Sequence, residues 1–188
     1  MKIAIIGYGK LGRMIETIAL ERGHTIGSRI DIDNQELLEA KNLSMHDVAI
    51  ESTRPETAMA NINKCLDAGI PVVSGTTGWT SELPGIIDRC RKENGSFLYA
   101  SNFSLGVNIL FHLNKKLASI MNHYQQYDVH MREVHHTQKL DAPSGTAITL
   151  AEQILEHHGG LKNWVLGTKA PDSTLPVEAI REGEVKGK

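Results

Sequence analysis

The first hundred residues alternate between short apolar runs and amphipathic stretches. Apolar, often β-branched runs lie at 2–7, 24–31, 47–53, 70–77 and 96–101. The segments between them carry apolar side chains at helical spacing, most clearly over 11–23, 55–69 and 84–93. This alternation is typical of βαβ units, and it predicts an α/β fold built on a parallel sheet.

The hydrophobic pattern changes near residue 104. A long amphipathic helix is predicted over 104–122, and an alternating, half-buried strand over 127–136. A second helix is predicted to open at Pro143. We therefore divide the chain into a first domain, 1–104, and a second domain, 105–188.

One more strand is predicted over 176–182, close to the end of the chain. The sequence offers it no evident partner strand. Because an unpaired strand edge is a liability, we expect either that another subunit supplies the pairing or that the second domain is incomplete at its C-terminus.

A glycine pattern follows the first predicted strand. Residues 7–12, GYGKLG, join that strand to the first helix, which is the context of a dinucleotide-binding loop. Gly7 would permit the tight turn, Gly9 would let the backbone approach a pyrophosphate, and Gly12 would let the helix pack closely on the strand. Asp31 ends the second strand, where an acid can bind ribose hydroxyls. The alternative is a glycine-rich turn in another kind of α/β protein.

The residues near Asp31 bear on the choice of cofactor. Asp31 itself favours NAD, whereas Arg13 and Arg29 lie close enough in sequence to accept the 2′-phosphate of NADP. Two further loops, 51–56 and 74–79, follow predicted strands and would lie beside the nicotinamide, because open parallel sheets bind ligands at that edge.

The segment 133–147, EVHHTQKLDAPSGTA, holds the densest group of chemically active side chains. A helix that opens at Pro143 leaves the N–H groups of Ser144, Gly145 and Thr146 without helical partners, which predicts a site for a carboxylate. Lys139 and His136 can add positive charge there, so a dicarboxylate is the expected substrate.

The adjacent histidines of this segment need different roles. One imidazole can donate a proton while the other binds substrate, and Lys139 can bind substrate or stabilise developing charge. Asp141 is expected either to cap the helix or to orient Lys139. A zinc site built from His135, His136 and an acid is an alternative, although adjacent histidines lack the usual ligand spacing.

Charge and cysteine content narrow the class of protein. The chain has 20 Lys and Arg against 22 Asp and Glu, a formal net charge of −2, with no block of like charge. Neither a nucleic acid nor a membrane is indicated as a partner. We expect a cytoplasmic protein, because no signal-peptide pattern or spanning stretch is present. Cys65 and Cys90 are expected to be reduced thiols.

Taken together, these motifs resemble the 4-hydroxy-tetrahydrodipicolinate reductase family. EVHHTQKLDAPSGTA is similar almost letter for letter to the family's signature, and GYGKLGR, TRPE, SGTTGW and ASNFSLGVN resemble its other segments in the same order. The family uses NADH or NADPH in diaminopimelate and lysine synthesis. The resemblance implies a Rossmann-like cofactor domain followed by an α+β substrate and oligomerisation domain, usually in a homotetramer.

The resemblance also assigns roles to individual residues. His135 would be the proton donor and Lys139 its catalytic partner. From the ligand spacing described above, no metal is expected. The substrate would be held by His136, Ser144, Gly145, Thr146 and Thr77. The cofactor would contact Gly7, Tyr8, Gly9, Lys10, Leu11, Gly12, Asp31, Ser52, Thr53, Gly75, Thr76, Thr77, Ser101, Asn102 and Phe103.

Two features of the sequence depart from the family pattern. Ile32 follows Asp31, where many relatives carry a basic side chain, and relatives normally continue through more strands and a final helix beyond a segment like 177–188. Two rival functions stay open: a related amino-acid dehydrogenase acting on an open-chain substrate with ammonia, and a truncated nucleotide-binding protein without catalysis.

Overall fold

The structure is a computed structural model that describes residues 1–124 and 126–188. The chain forms two compact units, Met1–Ser101 and Asn102–Lys188. None of the described helices combines the length and apolar character needed to cross a membrane.

The first unit contains a five-stranded parallel sheet in the order β2-β1-β3-β4-β5. The strands are β1 (Lys2–Ile6), β2 (Thr25–Ile30), β3 (Val48–Glu51), β4 (Val72–Ser74) and β5 (Phe97–Tyr99). The helices are α1 (Lys10–Glu21), α2 (Ala40–Leu43), α3 (Pro55–Asp67) and α4 (Leu83–Lys92). Short 3₁₀ turns at Ile32–Leu38 and Thr80–Glu82 were not expected from the pattern. The predicted parallel α/β sheet is confirmed.

The central strand of this sheet explains where ligands can bind. Ile3 through Ile6 of β1 are all buried, as expected for a strand covered on both faces. The chain runs from β1 outward to β2 and then returns to β3 on the other side of β1. This reversal is a topological switch point, and the loops after β1 and β3 flank a crevice there.

The second unit contains α5 (Leu105–Met121), β6 (Met131–His135), α6 (Gly145–His157), β7 (Asn163–Leu166) and β8 (Thr174–Arg181). Its sheet has the order β6-β8-β7, and both pairings are parallel. Ala147, Ala151 and Ile154 of α6 pack with Leu175 and Val177 of β8 in the core of this unit.

Two expectations for this unit are wrong. The last predicted strand is not an unpaired edge, because β8 lies in the middle of the sheet and pairs with β6 and β7 of its own chain. The four-residue β7 was missed because its pattern is too short to stand out. The predicted helix opens at Gly145 rather than at Pro143, since Ser144 is extended and acts as its N-cap.

Candidate active site

The glycine loop after β1 has the geometry that its sequence predicts. Gly7 has φ +93°, and a Cβ there would lie 2.1 Å from the backbone oxygen of Ser52. A Cβ on Gly12 would lie 2.2 Å from the oxygen of Gly7, so α1 packs against the loop only because Gly12 has no side chain. A Cβ on Gly9 would meet nothing within 4 Å. The open space above Gly9, at the start of α1, fits the pyrophosphate of a dinucleotide.

Asp31 is held at the end of β2 by this same loop. Its Oδ2 accepts a hydrogen bond of 3.1 Å from the N–H of Tyr8, and its Oδ1 accepts one of 2.9 Å from Ile32. The carboxylate lines a cavity of about 340 Å³ together with Gly7, Gly9 and Ser52. Each carboxylate oxygen has lone pairs to spare, so Asp31 fits a pair of ribose hydroxyls.

Arg29 is engaged away from this cavity. It forms an ion pair with Glu16, and Glu16 also accepts a hydrogen bond from the hydroxyl of Tyr8. These hydrogen bonds from Arg29 and Tyr8 lower the pKa of Glu16 to about 2. Arg13 lies over the ring of Tyr8, 5.5 Å from its centroid. The guanidinium of Arg29 is therefore already paired with an anion of the protein.

Glu51, at the end of β3, organises the two loops that were expected beside the nicotinamide. It is fully buried. Its Oε1 accepts hydrogen bonds from the N–H and hydroxyl of Thr53, at 3.0 and 2.5 Å, and from the hydroxyl of Thr76 at 2.8 Å. Its Oε2 accepts a bond of 2.6 Å from Ser74. Glu51 was not among the predicted site residues, because its only signal in the sequence is an acid at the end of an apolar strand.

These contacts engage Thr76, which was expected at the cofactor. Its hydroxyl donates to Glu51 and accepts from the N–H of Thr53, and its carbonyl accepts a bond of 2.7 Å from Trp79. The hydroxyl of Thr76 therefore joins the loop after β4 to the loop after β3. Thr77 is half-buried at the same loop, and the N–H of Gly75 donates to the backbone of Glu51.

The end of β6 carries the predicted proton donor. The side chain of His135 is 16% exposed, and its Nδ1 lies 3.3 Å from Oε2 of Glu133. Partial burial lowers the pKa of His135 below its usual 6.5, and the charges of Lys139 and Arg181 act in the same direction. The charges of Glu133 and Asp141 oppose that shift. The imidazole is therefore poised to be neutral near pH 7.

A tight turn returns Lys139 towards the end of β6, because its N–H donates to the carbonyl of His136 at 3.1 Å. The ammonium of Lys139 lies 2.8 Å from Oδ1 of Asp141. Burial raises the pKa of Asp141, but the hydrogen bond and charge of Lys139 outweigh it, and the net pKa is lowered. Of the two roles expected for Asp141, the structure supports the orientation of Lys139. The half-buried His136 begins the turn.

His135, Lys139 and Asp141 form a cluster with two further charged residues that were not predicted. Glu133 is buried on the same face of β6 as His135, and Arg181 stands opposite His135 in the register of β8. Arg181 lies 3.2 Å from Oε1 of Glu133 and donates to the backbone oxygens of Lys139, at 3.3 Å, and of Asp141. The position of Glu133 two residues before His135 was a usable signal. No spacing along the chain indicated Arg181.

Ser144, which was expected to hold substrate, is engaged within the protein. Its N–H donates to Oε1 of Glu133 at 2.9 Å and its hydroxyl donates to Oε2, while the same hydroxyl accepts from the N–H of Ala147. The residue is buried and fully used as the N-cap of α6. The expected site for a carboxylate therefore narrows to Gly145 and Thr146, the first two helical residues, which have no i−4 partner.

Asn102 lies beside this helix terminus, although it was expected at the cofactor. Its side-chain N–H₂ donates to the hydroxyl of Thr146 at 3.2 Å, and its Oδ1 accepts from the N–H of Ser104. Asn102 belongs to the second unit, as does the exposed Phe103, whereas Ser101 ends the first unit. Lys10 and Leu11 are exposed in the first turn of α1.

Both parts of the chain match one family. Models of the dihydrodipicolinate reductase N-terminus and C-terminus match residues 1–103 and 106–188. A 4-hydroxy-tetrahydrodipicolinate reductase from Christiangramia forsetii is 48% identical over 189 residues, covering 100% of this chain and 77% of that protein. A protein of the same name from Neisseria meningitidis serogroup C is 30% identical, with 100% and 79% covered.

A solved structure agrees with these sequence matches. The dipicolinate-bound dihydrodipicolinate reductase from Paenisporosarcina sp. TG-14 superposes with a TM-score of 0.68 at 26% identity. The superposition covers 100% of this chain and 80% of that one. Fold and site together thus define an oxidoreductase that uses a nicotinamide cofactor on a Rossmann-type sheet. The chain belongs to the dihydrodipicolinate reductase family.

Proposed function

We propose that 4-hydroxy-tetrahydrodipicolinate loses water to give an unsaturated cyclic dicarboxylic imine, and that the chain reduces this imine with NADH and a proton to tetrahydrodipicolinate and NAD⁺, in diaminopimelate and lysine synthesis. The observation that carries the proposal is the group at the end of β6, where His135 and the Lys139–Asp141 pair lie in the segment that leads into α6. A dicarboxylate needs positive charge and free amides for its two anionic groups. Reduction also needs one protonated side chain at the reacting ring.

His135 is the proton donor in this proposal. Its lowered pKa keeps the imidazole largely neutral before substrate binds. A dianionic substrate nearby favours the imidazolium form, because an opposite charge stabilises the charged state. The bound substrate thereby favours protonation of His135, the group that donates the proton to it. The bound cofactor supplies the hydride, and protonation of the resulting enamine by His135 completes the reduction.

The substrate carboxylates are assigned to two groups of donors. The N–H groups of Gly145 and Thr146 at the start of α6, together with the hydroxyl of Thr146, are proposed to bind one carboxylate, with His136 assigned to the same group. Lys139 provides a fixed positive charge, because Asp141 restrains its ammonium without burying it completely. Thr77 is a substrate contact by family resemblance alone.

We further propose that the domain of residues 1–104 binds NADH in preference to NADPH. The pyrophosphate is assigned to the loop from Gly7 to Gly12, and the adenine ribose to Asp31. A 2′-phosphate would place its negative charge beside Asp31. Arg29 is paired with Glu16, and Ile32 has no charge to offer, so neither compensates for that repulsion.

The assembly is proposed to be a homotetramer formed through the second domain, residues 105–188. Within the described residues, β7 pairs along only one of its edges, with β8. Val165 and Leu166 of β7 are exposed apolar residues, which favours association at this strand. Light scattering of the purified chain should give four times the 20.7 kDa chain mass. A monomer mass at assay concentrations would contradict the tetramer.

Turnover and ligand binding test the proposed reaction. The purified chain should oxidise NADH with the cyclic imine and bind dipicolinate, the ligand named for the Paenisporosarcina relative. Thr146→Ala should weaken dipicolinate binding, whereas His130→Gln, which changes an exposed histidine outside the cluster, should leave binding and turnover unchanged.

The two rival functions give different results in the same assays. An amino-acid dehydrogenase would oxidise NADH with an open-chain keto acid and ammonia and would ignore the cyclic imine. A nucleotide-binding protein without catalysis would bind NADH by calorimetry and show no turnover at any pH. Either result would overturn the proposal.

A further inference from the structure

We propose that Glu133 and Arg181 are the positioning residues of this reduction: Glu133 orients the imidazole of His135, and Arg181 holds the loop that carries Lys139. The inference rests on the proposed function and adds two residues to it. Neither side chain is assigned to the substrate. Their contacts instead connect the proposed proton donor, the proposed lysine and the first turn of α6.

Glu133 is at the centre of these contacts. It is buried, and the N–H of Ser144 and the guanidinium of Arg181 both donate to its Oε1, at 2.9 and 3.2 Å. The hydroxyl of Ser144 donates to its Oε2. One carboxylate therefore fixes the N-cap of α6 relative to β6, and with it the amides of Gly145 and Thr146.

The same carboxylate faces the imidazole. Nδ1 of His135 is buried and makes no aligned hydrogen bond within residues 1–124 and 126–188, yet it lies 3.3 Å from Oε2 of Glu133. A proton on Nδ1 would lie close to a carboxylate that can only accept, and a small rotation of the ring would align the two. Glu133 therefore favours the tautomer with the proton on Nδ1. Nε2 is then the nitrogen that exchanges a proton with substrate.

Arg181 contacts the loop that carries Lys139. Its guanidinium donates to the backbone oxygens of Lys139 and Asp141, on either side of Leu140. Leu140 is 97% exposed, so this loop gains little from apolar packing. The two backbone contacts and the ion pair with Glu133 hold it instead. A lysine could keep the charge of Arg181 but could not reproduce its forked contacts.

The charges that surround His135 make the inference testable. The groups that face it are Glu133 on its own strand, Arg181 on β8, and Lys139 and Asp141 on the loop. Removal of the negative charge of Glu133 should lower the pKa of His135 further, and removal of the positive charge of Arg181 should raise it. Opposite shifts from two substitutions are not expected from a general loss of packing.

The decisive experiment is an NMR titration of His135 in the ligand-free protein. Its ring signal is assigned by its absence from His135→Gln, and it is then followed in Glu133→Gln and Arg181→Gln. We expect the midpoint to move to lower pH in the first variant and to higher pH in the second. Glu178→Gln is the matched control, because Glu178 pairs with Arg132 on the other face of the same sheet.

Kinetics of the same variants complete the test. Glu133→Gln and Arg181→Lys should each lower kcat by about 10- to 100-fold, with a smaller change in KM. This is the range found when a residue that orients a functional side chain by a hydrogen bond is replaced. Circular dichroism and thermal melts identify a variant that fails to fold. If Arg181→Gln does not fold, Arg181→Lys tests the positioning role by its kcat, because it keeps the charge but not the forked contacts; a wild-type kcat in Arg181→Lys would then overturn that role.

The outcomes separate this inference from the proposed function. Unchanged midpoints, or shifts in the same direction, in folded Glu133→Gln and Arg181→Gln would overturn the positioning role even if His135→Gln is inactive. Near-normal turnover of His135→Gln would instead overturn the proton-donor assignment. A pH shift in Glu178→Gln equal to that in Glu133→Gln would show a nonspecific charge effect and would also overturn the inference.

Discussion

At the residue scale, the hydrogen bonds of Ser144 show that it caps α6 rather than leaving its donors free for a ligand. A hydroxyl at the first turn of a helix can face an anionic ligand or cap its own helix. In this chain both the N–H and the hydroxyl are directed to Glu133, and the hydroxyl also accepts from Ala147. Ser144 therefore stabilises the first turn of α6, and we propose that Thr146 is the hydroxyl residue that contacts substrate.

Substitution of these two residues should separate stability from binding. Ser144→Ala should lower the free energy of unfolding by about 1 kcal/mol or more, because it removes an N-cap. Thr146→Ala should chiefly raise the KM for the imine with a smaller effect on stability. Urea denaturation and steady-state kinetics measure both quantities. A larger KM effect from Ser144→Ala than from Thr146→Ala would contradict the reassignment.

The lowered pKa of His135 also predicts how stability depends on pH. Below 6.5 the unfolded chain binds a proton at this residue more readily than the folded chain does. The contribution is therefore complete above pH 6.5 and is lost as the pH falls from 6.5 through the folded pKa. His135→Gln should flatten the dependence in that window, as measured by urea denaturation at several pH values. An equal flattening in His130→Gln would contradict the assignment to His135.

Ile32 allows a direct test of cofactor preference. It is 70% exposed, so a polar replacement costs little packing. Ile32→Arg places a cation beside Asp31 and should shift the ratio of kcat/KM towards NADPH by about 10-fold, the size expected for one charge-assisted contact. Met45→Arg adds the same charge at another exposed site and should leave the ratio unchanged. Equal ratios in wild type and Ile32→Arg would contradict the account.

At the element scale, the loops after β3 and β4 behave as one unit because of Glu51. Its carboxylate is fully buried and accepts from Thr53, Ser74 and Thr76. Thr53 also donates its N–H to Thr76 at 2.8 Å, which joins the loops directly. The polar core of the crevice is therefore built by the ends of two neighbouring strands.

Glu51→Gln should disturb both loops together. The new amide N–H₂ would face hydroxyl donors, and an unsatisfied buried group costs about 1–3 kcal/mol. We expect lower stability and weaker NADH binding, by about 10-fold on calorimetry. Glu56→Gln, an exposed acid in the first turn of α3, is the matched control.

The buried Cys65 reports whether folding has been retained in Glu51→Gln. Burial and the nearby charge of Glu51 raise its pKa to about 12, so it should resist thiol reagents in the native state. Unaltered NADH affinity in a folded Glu51→Gln would contradict the role of Glu51.

The sequence was informative where function depends on neighbours along the chain. The order β1, glycine loop, α1 and Asp31 was predictable because each part lies within 31 residues and has a local signature. Arg181 was not predictable, because it meets His135 only through the pairing of β6 with β8. The central place of β8 was missed for the same reason, since parallel pairing carries no local signal.

At the scale of the whole molecule, the chain divides its chemistry between two units. Residues 1–101 contain the glycine loop and Asp31, whereas 102–188 contain the imidazole, the lysine and the first turn of α6. A nicotinamide and a dicarboxylate should therefore each stabilise the protein, by RT ln(1 + [L]/Kd). Thermal melts with NADH alone and with dipicolinate alone should both show an upward shift. Absence of either shift at saturating ligand would contradict the division.

In the proposed reaction, His135 supplies the proton while NADH is consumed. It is tested most directly by single-turnover measurement of NADH oxidation with the cyclic imine in wild type and His135→Gln, with dipicolinate affinity measured in parallel. We predict a rate loss of about 100-fold or more for His135→Gln, the usual range for a general acid, with dipicolinate affinity nearly retained. A wild-type rate in His135→Gln would contradict the account.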